Sequence, residues 1–213
     1  MTAAQPDRAY GQQSIEAVAR PLLDGAETGV GTQSGRGACA GGEGRSTAQC
    51  MGQSYRGPTV SGQKAKLLSS GAAVPPDSAP DPVKCMIAAG NQIHRIGYVY
   101  GGCHGPPLIR PCPPAEGYDC SSSTSFVLFH GGVLATKTAL TSGELAGWGK
   151  PGAGRWVTVY ANGGHVYSTV AGLRFDTGGQ FVPGRGGPPG SGPRWASSPR
   201  PSGGFAIRHP EGL

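Results

Sequence analysis

Tyr118-Asp119-Cys120-Ser121-Ser122-Ser123-Thr124-Ser125-Phe126-Val127-Leu128-Phe129-His130-Gly131-Gly132 is the stretch on which the reading of this chain turns. Asp119 stands where a helix N-cap is wanted, and the Gly pair supplies a C-terminal stop. The Ser/Thr run between them has modest helix propensity, so burial of Phe126, Val127 and Phe129 has to hold the helix. The stretch therefore predicts a core helix that carries Cys120 at its start. A thiol attacks only as thiolate, and the unpaired N–H groups and macrodipole of a helix start favour negative charge there. The plain alternative for a single cysteine is a buried structural thiol or half of a disulfide.

The flanking pattern favours the reactive reading. Upstream, Gly97-Tyr98-Val99-Tyr100-Gly101-Gly102 reads as a short aromatic strand ending in a Gly pair; downstream, Gly164-His165-Val166 opens an alternating stretch. A Cys at a helix start followed by a His at a strand start is the order of papain-like nucleophilic sites. His165 can take the thiol proton and return it to a leaving amine, because an imidazole titrates near neutrality. The backbone N–H of Cys120 is one donor for the oxyanion that acyl transfer generates.

With Tyr98 ahead of Gly101-Gly102, then Asp119-Cys120-Ser121, then Gly164-His165-Val166, the segment from about Asp81 to the C-terminus resembles the NlpC-type cell-wall peptidases. The resemblance covers only the second half of the chain. It implies a papain-like α+β domain and a cysteine endopeptidase that hydrolyses amide bonds in peptidoglycan stem peptides through an acyl-enzyme. It implies a third catalytic member, often His in the family and here Asp176, eleven residues after His165. It also adds the Tyr98 hydroxyl as a second oxyanion donor, and it implies that Tyr98 and Asp119 meet the substrate's amine end. Read without the family, Tyr98 is a strand aromatic, Asp119 a helix cap and Asp176 the start of a turn.

The chain departs from the family pattern in three places. Ser122 stands where a Gly commonly follows the Ser, Gly154-Arg155 replaces the usual Gly-Asp, and the loop between Gly102 and Asp119 is long and carries Cys103, His104 and Cys112. The cysteines are not spaced as close CxxC pairs, so a Cys103–Cys112 disulfide is preferred to zinc, and no metal or cofactor is expected. Function classes that share this framework are an acyltransferase or deamidase using the same thioester chemistry, and a non-catalytic wall-binding protein. The Cys120, His165 and Asp176 set argues against the last.

Composition divides the chain. With 39 Gly and 20 Pro in 213 residues, 7% aromatic and 14% charged, core-forming material is scarce. It is scarcest from Gly25 to Ser61, which is expected to be disordered. A weak helix is expected over Ser14 to Leu23, kinked at Pro21, with another near Gln63 to Leu68. Val74-Pro75-Pro76-Asp77-Ser78-Ala79-Pro80 reads as a stiff extended linker. Residues 1–80 are thus expected to be a disordered region and linker, and 81–213 the folded domain.

In that domain Asp81 is expected to cap a helix with Pro82 at its first position and an apolar stripe of Val83, Met86, Ile87, Gly90 and Ile93. Strands are expected at 98–100, 155–160, 165–170, 173–176 and 205–208. Helices first and antiparallel strands after make an α+β arrangement.

The chain's net charge of +6 falls entirely on residues 82–213, since residues 1–81 balance. The basic residues are scattered singly, without a run or interleaved aromatics, so nucleic acid is not an expected partner. Anionic wall polymers remain a candidate partner for that surface. The first thirty residues show no apolar signal-peptide core, and no stretch is long enough to span a bilayer. The resemblance implies an extracellular or cell-wall location, six cysteines fit an oxidising compartment only weakly, and a monomer is expected.

Overall fold

A computed structural model describes residues 48–50, 53–178 and 191–213, which belong to one compact unit, Gly42–Leu213. The helix expected over Ser14 to Leu23, and the expected disorder up to residue 47, lie outside the described residues. The described elements are β1 (Ala48–Cys50), β2 (Gln53–Tyr55), β3 (Lys66–Leu67), β4 (Ala73–Val74), α1 (Asp81–Ile93), α2 (Cys120–His130), α3 (Ser142–Gly147), β5 (Lys150–Pro151), β6 (Val157–Ala161), β7 (Val166–Val170), β8 (Leu173–Thr177), β9 (Pro193–Ala196) and β10 (Ala206–His209). Six of these strands form one antiparallel sheet in the order β5-β10-β6-β7-β8-β9. The fold is α+β, with α1 packed on α2 and β9, and α2 packed on β7 and β8.

Helix α2 is buried nearly all round, Phe126, Val127 and Leu128 completely. Its Ser/Thr run is buried too: Ser123 Oγ donates to Cys120 O, and Ser125 Oγ accepts from Leu140 N at 3.0 Å. Small side chains let the sheet and α1 approach closely, and local hydrogen bonds satisfy their hydroxyls. Gly131 shows how close: a Cβ there would overlap Met86 of α1. Gly90 of α1 lies against the Trp195 ring of β9 in the same way. Asp81 is the first helical residue and makes no side-chain cap; Pro80 occupies the cap position and Pro82 the first turn.

The structure corrects several expectations. Residues 53–80, read as disorder ending in a linker, are structured. β3 and β4 pair, Val60 bridges Pro76, Ala65 N donates to Ala171 O at 2.8 Å, and Ala73, Val74 and Ala79 are buried. No helix forms over Gln63 to Leu68; Lys66–Leu67 is a strand. Tyr98 is held by an isolated bridge to Tyr118 and not by a strand. The Gly/Pro-rich stretch before the last strand contains β9, and α3 and β5 were not expected at all.

Candidate active site

Three local devices bring the predicted site together. The first is the start of α2. Asp119 caps it as expected, its Oδ1 accepting from Ser121 N at 3.0 Å and Ser122 N at 2.8 Å, while Ser122 Oγ accepts from Asp119 N at 3.0 Å, which closes a capping box. This cap fixes Cys120 in the first turn, 8% exposed. Among the described residues Cys120 is the free cysteine, since Cys103 and Cys112 form a disulfide and Cys85 is disulfide-bonded as well.

The second device is the bridge between Gly97–Val99 and Tyr118. Val99 N donates to Tyr118 O at 3.1 Å and Tyr118 N to Gly97 O at 3.0 Å. Two residues from the nucleophile, this pins Tyr98 beside Cys120. Burial, then the charges of Cys120, Asp119 and Tyr100, push the Tyr98 hydroxyl up to about 12, so it remains a proton-bearing donor.

The third device is the β7–β8 hairpin. Ser168 pairs with Phe175 and Thr169 with Arg174, a register that sets Tyr167 opposite Asp176 and His165 diagonally beside it. Asn162 Oδ1 accepts from the Gly164 and His165 backbone N–H groups at 2.9 Å and so shapes the turn that presents the imidazole. His165 Nε2 lies 2.9 Å from Asp176 Oδ1. The Cys120 thiol lies close enough to the ring to favour its protonated form. Burial disfavours the imidazolium, but the hydrogen bond to Asp176 and the charges of Cys120 and Asp176 outweigh it and lift His165 to about 9.

Asp176 is 2% exposed. Burial opposes its ionisation, yet His165 and Arg200 hold its carboxyl below the ordinary value. Arg200 Nη1 donates to Oδ2 at 2.9 Å, and Arg174 Nε lies 3.7 Å from the same oxygen. Arg200 also lies over the Tyr167 ring, which stacks on Tyr160 and meets Phe205 edge-on. Neither arginine stood out in the sequence, because each is distant from Cys120 along the chain and basic residues are scattered throughout that half.

A cleft of about 510 Å³ opens beside Cys120, lined among others by Tyr98, His104, Asp119, Ser121, Gly143 and Gly163. His104 enters it from the disulfide-closed loop, its Nε2 3.0 Å from Asp119 Oδ2. The sequence offered His104 only as a neighbour of Cys103 in a metal set. Cys103, Cys112 and Glu116 do cluster, but the two sulfurs are bonded to one another and supply no thiolate ligand. No helix among the described residues is long and apolar enough to cross a membrane.

Arranged this way, the groups could support nucleophilic acyl transfer: a thiol at a helix start, an imidazole near it, and a buried carboxylate hydrogen-bonded to the imidazole. Comparisons add little to this geometry. No protein-family model and no curated protein matches the chain. Among solved structures it is similar to the P60 domain of an antigen from M. avium subspecies paratuberculosis, at 20% identity and a TM-score of 0.41, over 60% of this chain and 93% of that one.

Proposed function

We propose that the chain is a cysteine peptidase that cleaves amide bonds in peptidoglycan stem peptides. The observation that carries the reading is Cys120 at the capped start of α2, beside a His165 that the buried Asp176 holds at 2.9 Å. The stem-peptide substrate rests on the order of motifs around Tyr98, Cys120 and His165.

In this reading His165 takes the thiol proton as Cys120 attacks. Sulfur attacks the scissile carbonyl; a C–S bond forms, and the oxyanion is met by the Cys120 N–H and the Tyr98 hydroxyl. The C–N bond then breaks while imidazolium gives its proton to the departing nitrogen, releasing the amine and leaving a thioester. Water, deprotonated by the neutral imidazole, cleaves the thioester to a carboxylic acid that ionises into solvent, and the departing sulfur and the imidazolium return to their starting state. Asp176 stays ionised throughout and fixes the ring by its hydrogen bond.

The test is incubation of the purified protein with soluble muropeptides and mass analysis of the products. Hydrolysis adds one water across an amide, whereas transfer to another amine, the reading as an acyltransferase, gives a new amide instead. Cys120→Ala should abolish turnover with an unchanged circular dichroism spectrum, and undiminished turnover in that variant would remove the assignment.

A further inference from the structure

The cleft beside Cys120 holds a second imidazole–carboxylate pair that the reaction above does not use. His104 Nε2 lies 3.1 Å and 3.0 Å from the two Asp119 oxygens and 3.2 Å from Ser121 Oγ. One ring nitrogen serves both partners, so this is not a Ser–His–Asp relay. Asp119 also accepts from Gly101 N, Ser121 N, Ser121 Oγ and Ser122 N. A carboxylate offers about four lone-pair positions. Five donor groups converge on this one, which is 8% exposed.

An ammonium arriving in the cleft therefore meets a carboxylate with no vacant acceptor position. To pair with it, the ammonium would have to displace His104 or the cap of α2. The hydrogen bond to Asp119 holds His104 above its ordinary value, against burial and with help from the charges of Asp119 and Glu144. The pair is closed to the cleft by these hydrogen bonds. Apart from the nucleophile Cys120, the rest of the wall, from Tyr98 and Tyr100 through Thr141 and Gly143 to Gly163, is built of side chains without formal charge.

We propose that His104 is a specificity-determining residue: by occupying Asp119 it makes the cleft a subsite for a peptide residue whose nitrogen is amide-linked to an upstream group, in place of one ending in a free ammonium. This rests on the peptidase reading and narrows its substrate to acylated stem peptides. It also reassigns Asp119, which serves here as helix cap and as anchor of His104 and not as the amine receptor that the family resemblance implies.

The experiment uses the full chain carrying Cys120→Ala, so that binding is read without turnover, and two probes: a stem tripeptide with a free N-terminal amine and the same peptide N-acetylated. Calorimetry should show the acetylated peptide binding at least as tightly as the free one. Adding His104→Ala uncovers the carboxylate and should shift the ratio of affinities towards the free amine by about ten- to a hundredfold, the worth of a hydrogen bond to a charged group. Adding His104→Gln instead keeps a donor over Asp119 and should shift it far less.

A free-amine preference above about threefold in the Cys120→Ala chain overturns the proposal, a ratio corresponding to less than one hydrogen bond. So does a ratio that His104→Ala leaves unchanged, or failure of both peptides to bind. The first of these measurements decides even where His104→Ala does not fold. Binding with the expected preference but no cleavage by the wild-type chain would remove the peptidase reading and leave the subsite; cleavage with the opposite preference would do the reverse.

Discussion

His165 is the residue on which most of the site's chemistry converges. Burial alone would make it a neutral imidazole, yet the Asp176 and Cys120 contacts raise it to about 9. A group whose folded value is raised stabilises the fold fully below its ordinary value of 6.5 and loses that contribution as pH rises through about 9. Asp176 is shifted the other way, so its contribution is present above its ordinary 3.8 and is lost as pH falls through its depressed folded value. Thermal stability should therefore fall on both sides of a plateau, and kcat/KM should decline above about pH 9 as the imidazolium needed for the leaving amine disappears. An activity that keeps rising through pH 10 would contradict a catalytic imidazolium.

Asp176→Asn keeps the shape but leaves Arg174 and Arg200 facing a neutral amide. It should cost about 3 kcal/mol, or roughly 6–12 °C in Tm, and lower kcat/KM by about a hundredfold or more. A variant with wild-type kcat/KM would show that Asp176 is a turn residue and not the orienting group. The places of Cys120 at a helix start and His165 at a strand start were legible from local order, whereas Asp176 was offered by the family resemblance and read locally as the start of a turn. Arg200 and His104 were not legible, because their roles arise only when loops distant in sequence fold over the hairpin and the helix cap.

At the scale of elements, α2 was readable to its ends, since Asp119 and the Gly131-Gly132 pair punctuate it and the structure runs from Cys120 to His130. The strands of the β7–β8 hairpin were readable from alternation. β9 was not, because its four residues sit among Gly and Pro and owe their conformation to pairing with β8, Phe175 opposite Trp195. That pairing has a consequence for α1. Glycine inside an exposed helix costs about 1 kcal/mol relative to alanine, so Gly90→Ala would ordinarily stabilise. Here the added Cβ would overlap the Trp195 ring and crowd Phe175, both buried. Overpacking should win, and Gly90→Ala should destabilise by about 1–3 kcal/mol in denaturant unfolding. A more stable variant would mean that α1 and β9 are not packed as described.

At the scale of the whole molecule, the boundary of the folded unit was the least legible feature. Residues 53–80 are rich in Gly, Ser and Pro and hold few large apolar side chains, so composition gives no sign of a core. Their order comes from contacts made elsewhere: Asn91 of α1 accepts from Ala73 N at 2.8 Å and donates to Ala73 O at 2.7 Å, Ala65 N donates to Ala171 O at 2.8 Å, and Ala73, Val74 and Ala79 are covered by the rest of the fold. A small side chain can be buried as thoroughly as a large one, and a Pro-rich segment can lie on a helix as well as span a gap. Deleting residues 1–80 would strip these contacts and leave both polar groups of Asn91 without their partners. The truncated chain should lose at least about 3 kcal/mol, read as a Tm lower by roughly 6–12 °C. Asn91→Ala breaks the same two hydrogen bonds without shortening the chain and should lower stability by about 1–2 kcal/mol. Cleavage of small muropeptides should fall with the truncation at temperatures near its Tm and recover on cooling, because none of Cys120, His165 and Asp176 lies in the deleted part. A truncated chain as stable as the full one would restore the linker reading of Val74 to Pro80, and with it a folded domain that begins at Asp81.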